Sequence, residues 1–188
     1  GSLSVSILIS KYIFHQDVRT LGSGNAGAAN AARTLGPRVG ALTLLGDFLK
    51  GIISMLLGSW LGGTTGLAIA GAACMIGHCF PIYFGFKGGK GILVSVAVLM
   101  TVEWIPACIL LGIFIIVVAL TRYVSLGSCI AAVCYPVTIL VYSLITGDPC
   151  VWINVILSAL IAVLILFMHR GNLVRLKNHT EKKLGQKA

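Results

Sequence analysis

The amino-acid sequence predicts an all-α integral membrane protein, a bundle of about seven transmembrane helices with its N-terminus outside and its C-terminus in the cytoplasm. Three observations predict it. The chain is 57% hydrophobic and only 10% charged, its mean hydropathy is +1.00, and its basic residues are confined to alternate gaps between apolar runs. A soluble domain has roughly a quarter of its residues charged, so a chain this poor in charge needs lipid as its solvent.

The apolar runs fall at about 3–14, 39–61, 64–79, 91–102, 104–120, 124–146 and 151–168, separated by Gly, Pro or charge. The first is the weakest, because its dozen or so apolar residues fall short of the roughly 20 that cross a bilayer. The chain starts at Gly1 rather than Met, so either Gly1-Ser2 is a scar or the natural start lies upstream. The first run does not read as a cleaved signal peptide, since Lys11 follows it where a small-residue cleavage site belongs. The second run carries Asp47 and Lys50, three residues apart, where uncompensated charge is costly. They are expected to pair towards the bundle interior, as a structural clamp or as the wall of a site. The shorter runs are expected to be half-helices or to borrow residues from neighbouring loops.

Charge sets the orientation. One side receives residues 15–38 with Arg19, Arg33 and Arg38, residues 80–90 with Lys87 and Lys90, and residues 121–123 with Arg122. It also receives the tail from 169, with Arg170, Arg175, Lys177, Lys182, Lys183 and Lys187. The other side receives Glu103, Asp148 and no basic residue, so the first side is cytoplasmic. The net charge of +9 does not indicate nucleic acid: the basic residues edge apolar helices and no nucleic-acid-binding module is visible. Anionic lipid head groups and anionic substrates account for it. Cys74, Cys79, Cys108, Cys129 and Cys134 lie in or beside apolar runs, and none stands in a Cys-x2-Cys pair. They read as small core residues, with Cys150 near the outer face open to oxidation, and no metal is expected.

Three polar segments on the cytoplasmic side carry chemistry. The first contains Gly22, Ser23, Gly24, Asn25, Gly27 and Arg33. It matches Gly-x-Gly-x-x-Gly formally, but the run before it is a membrane helix rather than a strand, so a dinucleotide site is excluded. Its glycines let backbone N–H groups converge on an anion, and the Ala-rich helix that follows offers its positive end. Ser23 and Asn25 can donate further hydrogen bonds, and Arg33 can bind a phosphate with two. The plainer alternative is a turn that lets helices pack closely.

The second segment follows His78 and contains Lys87, Gly88, Gly89, Lys90 and Gly91. It is no Walker A loop, because Gly91 stands where Ser or Thr is required. Two lysines framing a Gly-Gly pair still make an anion cradle, whereas a juxtamembrane anchor needs the lysines without the glycines. His78, near a membrane end, reads more readily as a hydrogen-bonded core histidine than as a catalyst. The third segment holds His169 and Asn172, which share a helix face at i, i+3, then Arg175, Lys177, Glu181 and Lys182. Alone it reads as a solvated basic tail.

Taken in order, 22–33, 78–91 and 169–182 resemble the three signature blocks of the bacterial acyl-phosphate:glycerol 3-phosphate acyltransferases, the PlsY family. Asp47-x-x-Lys50-Gly51 and Arg122-Tyr123-Val124-Ser125 also fit, and the similarity spans essentially the whole chain as one transmembrane acyltransferase domain, 1–188. Ala29, His179 and Ser4 depart from the family's usual Thr, Gly and Pro, beside the polar residues rather than at them. The resemblance implies transfer of a fatty acyl group from acyl phosphate to the sn-1 hydroxyl of glycerol 3-phosphate, without cofactor, at the inner membrane. The products are lysophosphatidic acid and phosphate, the first acylation of phospholipid synthesis.

The expected catalytic residues are His169, Ser23 and Asn172, with His169 or the donor phosphate itself as base. Gly22, Gly24, Asn25, Gly27, Arg33, Lys50, His78, Lys87, Gly88, Gly89, Lys90 and Gly91 are expected to bind substrate phosphates. The family analogy puts glycerol 3-phosphate at the second segment. Acyl phosphate carries a good leaving group, so direct attack without a covalent intermediate suffices. The expected partners are the two substrates and membrane lipid, with no nucleic acid, and a monomer is the working expectation. The competing reading is a small transporter of anionic phosphorylated solutes, against which stands the lack of repeated halves. A non-catalytic lipid-binding scaffold is the third.

Overall fold

The computed structural model describes residues 1–186, so Lys187 of the basic tail lies outside the described residues. Among the described residues eight α-helices follow one another: α1 (Val5–Tyr12), α2 (Ala28–Leu35), α3 (Pro37–Cys79), α4 (Ile92–Val102), α5 (Trp104–Thr121), α6 (Val124–Thr146), α7 (Val151–Met168) and α8 (Arg170–Lys177). Among the described residues there is no strand. The helices α3, α5, α6 and α7 are long and apolar enough to cross a membrane, while α4 is apolar but shorter. Their outer faces stay apolar where no protein covers them: Trp60 is 80%, Leu120 81% and Ile145 79% exposed, which only a lipid environment makes cheap.

Helix α3 explains how two predicted runs became one element. Its 43 residues would reach about 65 Å if straight, roughly twice the hydrocarbon thickness. Instead Gly62 (φ −149°, ψ 22°) and Gly63 (φ 59°, ψ −143°) leave the helical region and fold it into two arms, 37–61 and 64–79. Gly58 lies against Gly66 and Ala70, and Gly71 against Met55, so the arms run back along each other. A straight helix would hold residues 58 and 66 about 12 Å apart. Small residues at the crossing let the two backbones approach, the usual packing device inside a bilayer. The remaining runs coincide with α1, α4, α5, α6 and α7 to within two residues at each end.

Contacts divide the chain into two compact units, Gly1–Thr101 and Val102–Leu184 as their main bodies. In the first, α1 and α2 both pack on α3, and Gly51 of α3 abuts Val94 and Ala97 of α4. Helix α1, only eight residues long, owes its place to polar contacts. Its Ser6 Oγ donates to the Ala26 carbonyl at 2.8 Å, and its Ser10 Oγ accepts from the Val18 amide at 3.1 Å. Both serines are fully buried. In the second unit, α6 packs between α5 and α7, with Gly127 close against Phe114 and Val118 of α5. Asp148, after α6, accepts from Asn154 of α7 at 2.7 Å and from the Cys150 amide at 2.8 Å, which fastens the α6–α7 turn.

Candidate active site

The first polar segment is shaped by Asn30. Its side-chain oxygen accepts from the Ser23 amide at 2.9 Å, and its Nδ2 donates to the carbonyls of Val18 and Leu21, each at 3.0 Å. Asn30 is 2% exposed, and the turn it braces takes positive φ at Gly22 (+56°) and Gly24 (+72°). A Cβ on Gly22 would also collide with the Asn30 side chain, so glycine is required there twice over. Ser23, Gly22 and Gly24 are exposed, Asn25 and Gly27 are half-buried, and Gly27 caps α2, whose last turn carries Arg33.

The second segment folds back onto the end of α3. The Gly88 amide donates to the Cys79 carbonyl at 3.2 Å and the Gly89 amide to the His78 carbonyl at 3.1 Å. These bonds satisfy carbonyls that the last helical turn leaves open. A Cβ on Gly88 would strike the His78 carbonyl, and one on Gly89 would strike the His78 imidazole at Nε2. The Gly-Gly pair thus serves close approach to α3, and both of its amides are engaged there. Lys87 is exposed, while Lys90 and Gly91 lie where the segment enters α4.

Arg19 joins these two segments. Its Nε and Nη2 donate to Asp17 Oδ1 and Oδ2 at 2.9 and 2.7 Å, while Nη1 donates to the carbonyls of Phe84 and Lys87. The hydrogen bond from the Arg19 side chain holds the Asp17 carboxyl well below the usual carboxylate range, against the opposing effect of burial. Beneath the second segment, Lys50 Nζ sits 2.7 Å from Asp47 Oδ1, 2.8 Å from His78 Nδ1 and 2.9 Å from the Leu3 carbonyl. The pairing of Asp47 and Lys50 inside an apolar helix is the one their spacing suggests.

The second unit carries the third segment. His169 closes α7 and caps α8, placing Asn172 three residues on. His169 is 3% exposed, and its Nδ1 lies 2.9 Å from the Ile165 carbonyl. A carbonyl only accepts, so Nδ1 donates this hydrogen bond. Asn172 donates to Glu181 Oε1 at 2.6 Å, Ser125 donates to the same oxygen at 2.7 Å, and Arg175 Nε donates to Oε2 at 2.7 Å. Burial pushes the Glu181 carboxyl up, but these hydrogen bonds and the guanidinium charge outweigh it and hold the group below its ordinary value.

Comparison with known proteins decides what these segments belong to. A family model described as Glycerol-3-phosphate acyltransferase matches residues 1–179. The chain belongs to the glycerol-3-phosphate acyltransferase family.

The glycerol-3-phosphate acyltransferase of Finegoldia magna is 44% identical to it over 99% of this chain and 91% of the relative. That of Clostridioides difficile is 38% identical over 100% of this chain and 91% of the relative. The crystal structure of PlsY (YgiH), an integral membrane glycerol 3-phosphate acyltransferase, in its glycerol 3-phosphate form has a TM-score of 0.85 and 33% identity. That comparison covers 98% of this chain and 90% of the other. The lysophosphatidic acid form gives a TM-score of 0.80. The acyltransferase reading of the sequence and the all-α integral membrane fold both stand.

Within this family member, Arg19, Asp17, Asn30 and Glu181 organise the polar segments, yet the sequence suggested a site role for none of them. One signal was available. The chain has only five acidic residues, and three of them, Asp17, Asp47 and Glu181, are ion-paired to a base in or beside these segments.

Proposed function

We propose that this acyltransferase moves a fatty acyl group from acyl phosphate to the sn-1 hydroxyl of glycerol 3-phosphate, on the cytoplasmic side of a bacterial inner membrane. The whole chain acts as one catalytic domain of about seven crossings, N-terminus outside and C-terminus inside. The hydroxyl oxygen bonds to the acyl carbon, the carbon–oxygen bond to phosphate breaks, and phosphate departs with the electron pair. The hydroxyl proton goes to His169 or to the departing phosphate, and no acyl-enzyme forms.

In this reading Ser23, Asn25, Arg33 and the backbone of 22–27 hold one phosphate. Lys87 and Lys90 take the other, on a segment that Gly88, Gly89 and Gly91 keep close to His78 and Lys50. Fixed cations aimed at a developing phosphate charge lower the barrier because they need no reorganisation as the bond breaks. One observation carries the proposal: the Lys87 to Lys90 backbone is pinned from two sides, by the end of α3 and by Arg19. The substrate and product forms of the related PlsY structure agree with it.

The test is phosphate release by purified protein in detergent. Acyl phosphate should yield inorganic phosphate and lysophosphatidic acid only when glycerol 3-phosphate is added. Release independent of glycerol 3-phosphate, or none with both substrates present, would overturn the assignment. With inside-out vesicles, glycerol 3-phosphate added outside should be acylated without a transporter.

A further inference from the structure

Asp47, Lys50 and His78 form a buried cluster between the arms of α3, with relative exposures of 1% for Asp47 and 4% for His78. The ammonium of Lys50 has three N–H groups and three neighbours, the Leu3 carbonyl, Asp47 Oδ1 and His78 Nδ1, all within 2.9 Å. An ammonium cannot accept a hydrogen bond, so the short approach to His78 requires Nδ1 to offer its lone pair. The imidazole proton then resides on Nε2. That same nitrogen faces Gly89, where a Cβ would overlap it. Asp47 Oδ1 is buried and makes no directional hydrogen bond, so what it supplies is a negative charge 2.7 Å from the Lys50 ammonium.

We propose that Asp47 and Lys50 are positioning residues that lock His78 as its Nε2–H tautomer, presenting a neutral N–H donor at Gly89 to an oxyanion of the bound substrate phosphate. The proposal rests on the reading that the segment bearing Lys87 and Lys90 receives a phosphate. A neutral donor adds direction to the charge that the lysines supply, and a fixed tautomer means that no proton must relocate before substrate binds. It also gives Gly89 a purpose beyond flexibility, because any side chain there would cover the donor. Lys50 in this arrangement acts through His78 and does not itself touch the phosphate.

The experiment is nitrogen-15 NMR of histidine-labelled full-length protein in detergent micelles, with the His78 signals assigned through a His78→Asn variant. Wild type should show an unprotonated Nδ1 and a protonated Nε2, and glycerol 3-phosphate should shift the Nε2–H resonance. Lys50→Met should release the ring into a tautomer mixture and raise the KM for glycerol 3-phosphate roughly tenfold, with the smaller part of the effect in kcat. Lys50→Arg, which restores a charged donor, should recover the wild-type tautomer. A wild-type ring protonated on Nδ1, or on both nitrogens, overturns the lock without any variant having to fold. An Nε2–H resonance indifferent to saturating glycerol 3-phosphate overturns the donor role. Failure of the underlying acyltransfer reading would appear separately, as absent phosphate release from wild type whose His78 spectrum shows the predicted tautomer.

Discussion

Arg19 donates a hydrogen bond to the carbonyl of Phe84, 65 residues further along the chain, while the same guanidinium grips Asp17 with two others. The planar fork is what lets one side chain reach both places, since Asp17 fixes its orientation and leaves Nη1 pointing at the second segment.

Replacing Arg19 with Lys keeps the charge but removes the fork. We expect kcat/KM for glycerol 3-phosphate to fall by roughly 10- to 100-fold, in line with the loss of one to two charge-assisted hydrogen bonds. Phosphate release under subsaturating glycerol 3-phosphate measures it. A near-normal value would mean that the segment keeps its shape without the strap.

His169, whose Nδ1 donates to the Ile165 carbonyl, is the side chain proposed as base. His169→Ala should lower kcat by about 10²- to 10⁴-fold if it takes the hydroxyl proton. An almost unchanged kcat assigns that task to the donor phosphate.

Much of the fold was legible because hydropathy is written along the chain. Gly62 and Gly63 interrupt an apolar stretch, and the break fell where the arms of α3 turn. The site was less legible, because its decisive contacts end on backbone. Nothing in the pattern of α1 says that Ser6 will meet the Ala26 carbonyl, or that Arg19 will meet those of Phe84 and Lys87. Glu181 was hidden differently, by the lysines that follow it. A single carboxylate in a basic tail looks solvated until the fold gathers Ser125, Asn172 and Arg175 around it.

That gathering has a pH signature. The folded Glu181 carboxyl titrates below its ordinary value of 4.5, so its contribution to stability is complete above that value and is lost as the pH falls through the depressed one. Glu181→Gln should therefore melt below wild type at neutral pH, with the gap narrowing as the pH falls below 4.5. Tryptophan fluorescence melts in detergent at several pH values measure it. A constant gap would locate the loss in packing rather than charge.

Gly89→Ala should destabilise the fold by about 1–3 kcal/mol, the usual result of forcing a methyl into filled space. The obstacle is the His78 ring. Truncating it in the same chain should make the two substitutions non-additive, so that Gly89→Ala costs less in the His78→Ala background than in wild type. Thermal unfolding of the four proteins closes the cycle, and strict additivity would show that the ring is not what the methyl meets.

The reversal at Gly62 and Gly63 also decides when the charges of the first arm can find their partner on the second. The first arm alone would bring Asp47 and Lys50 into hydrocarbon with His78 still untranslated, and intramembrane charge resists partitioning. The second arm brings the His78 ring to within 2.8 Å of Lys50, so the cluster is complete only when both arms are present.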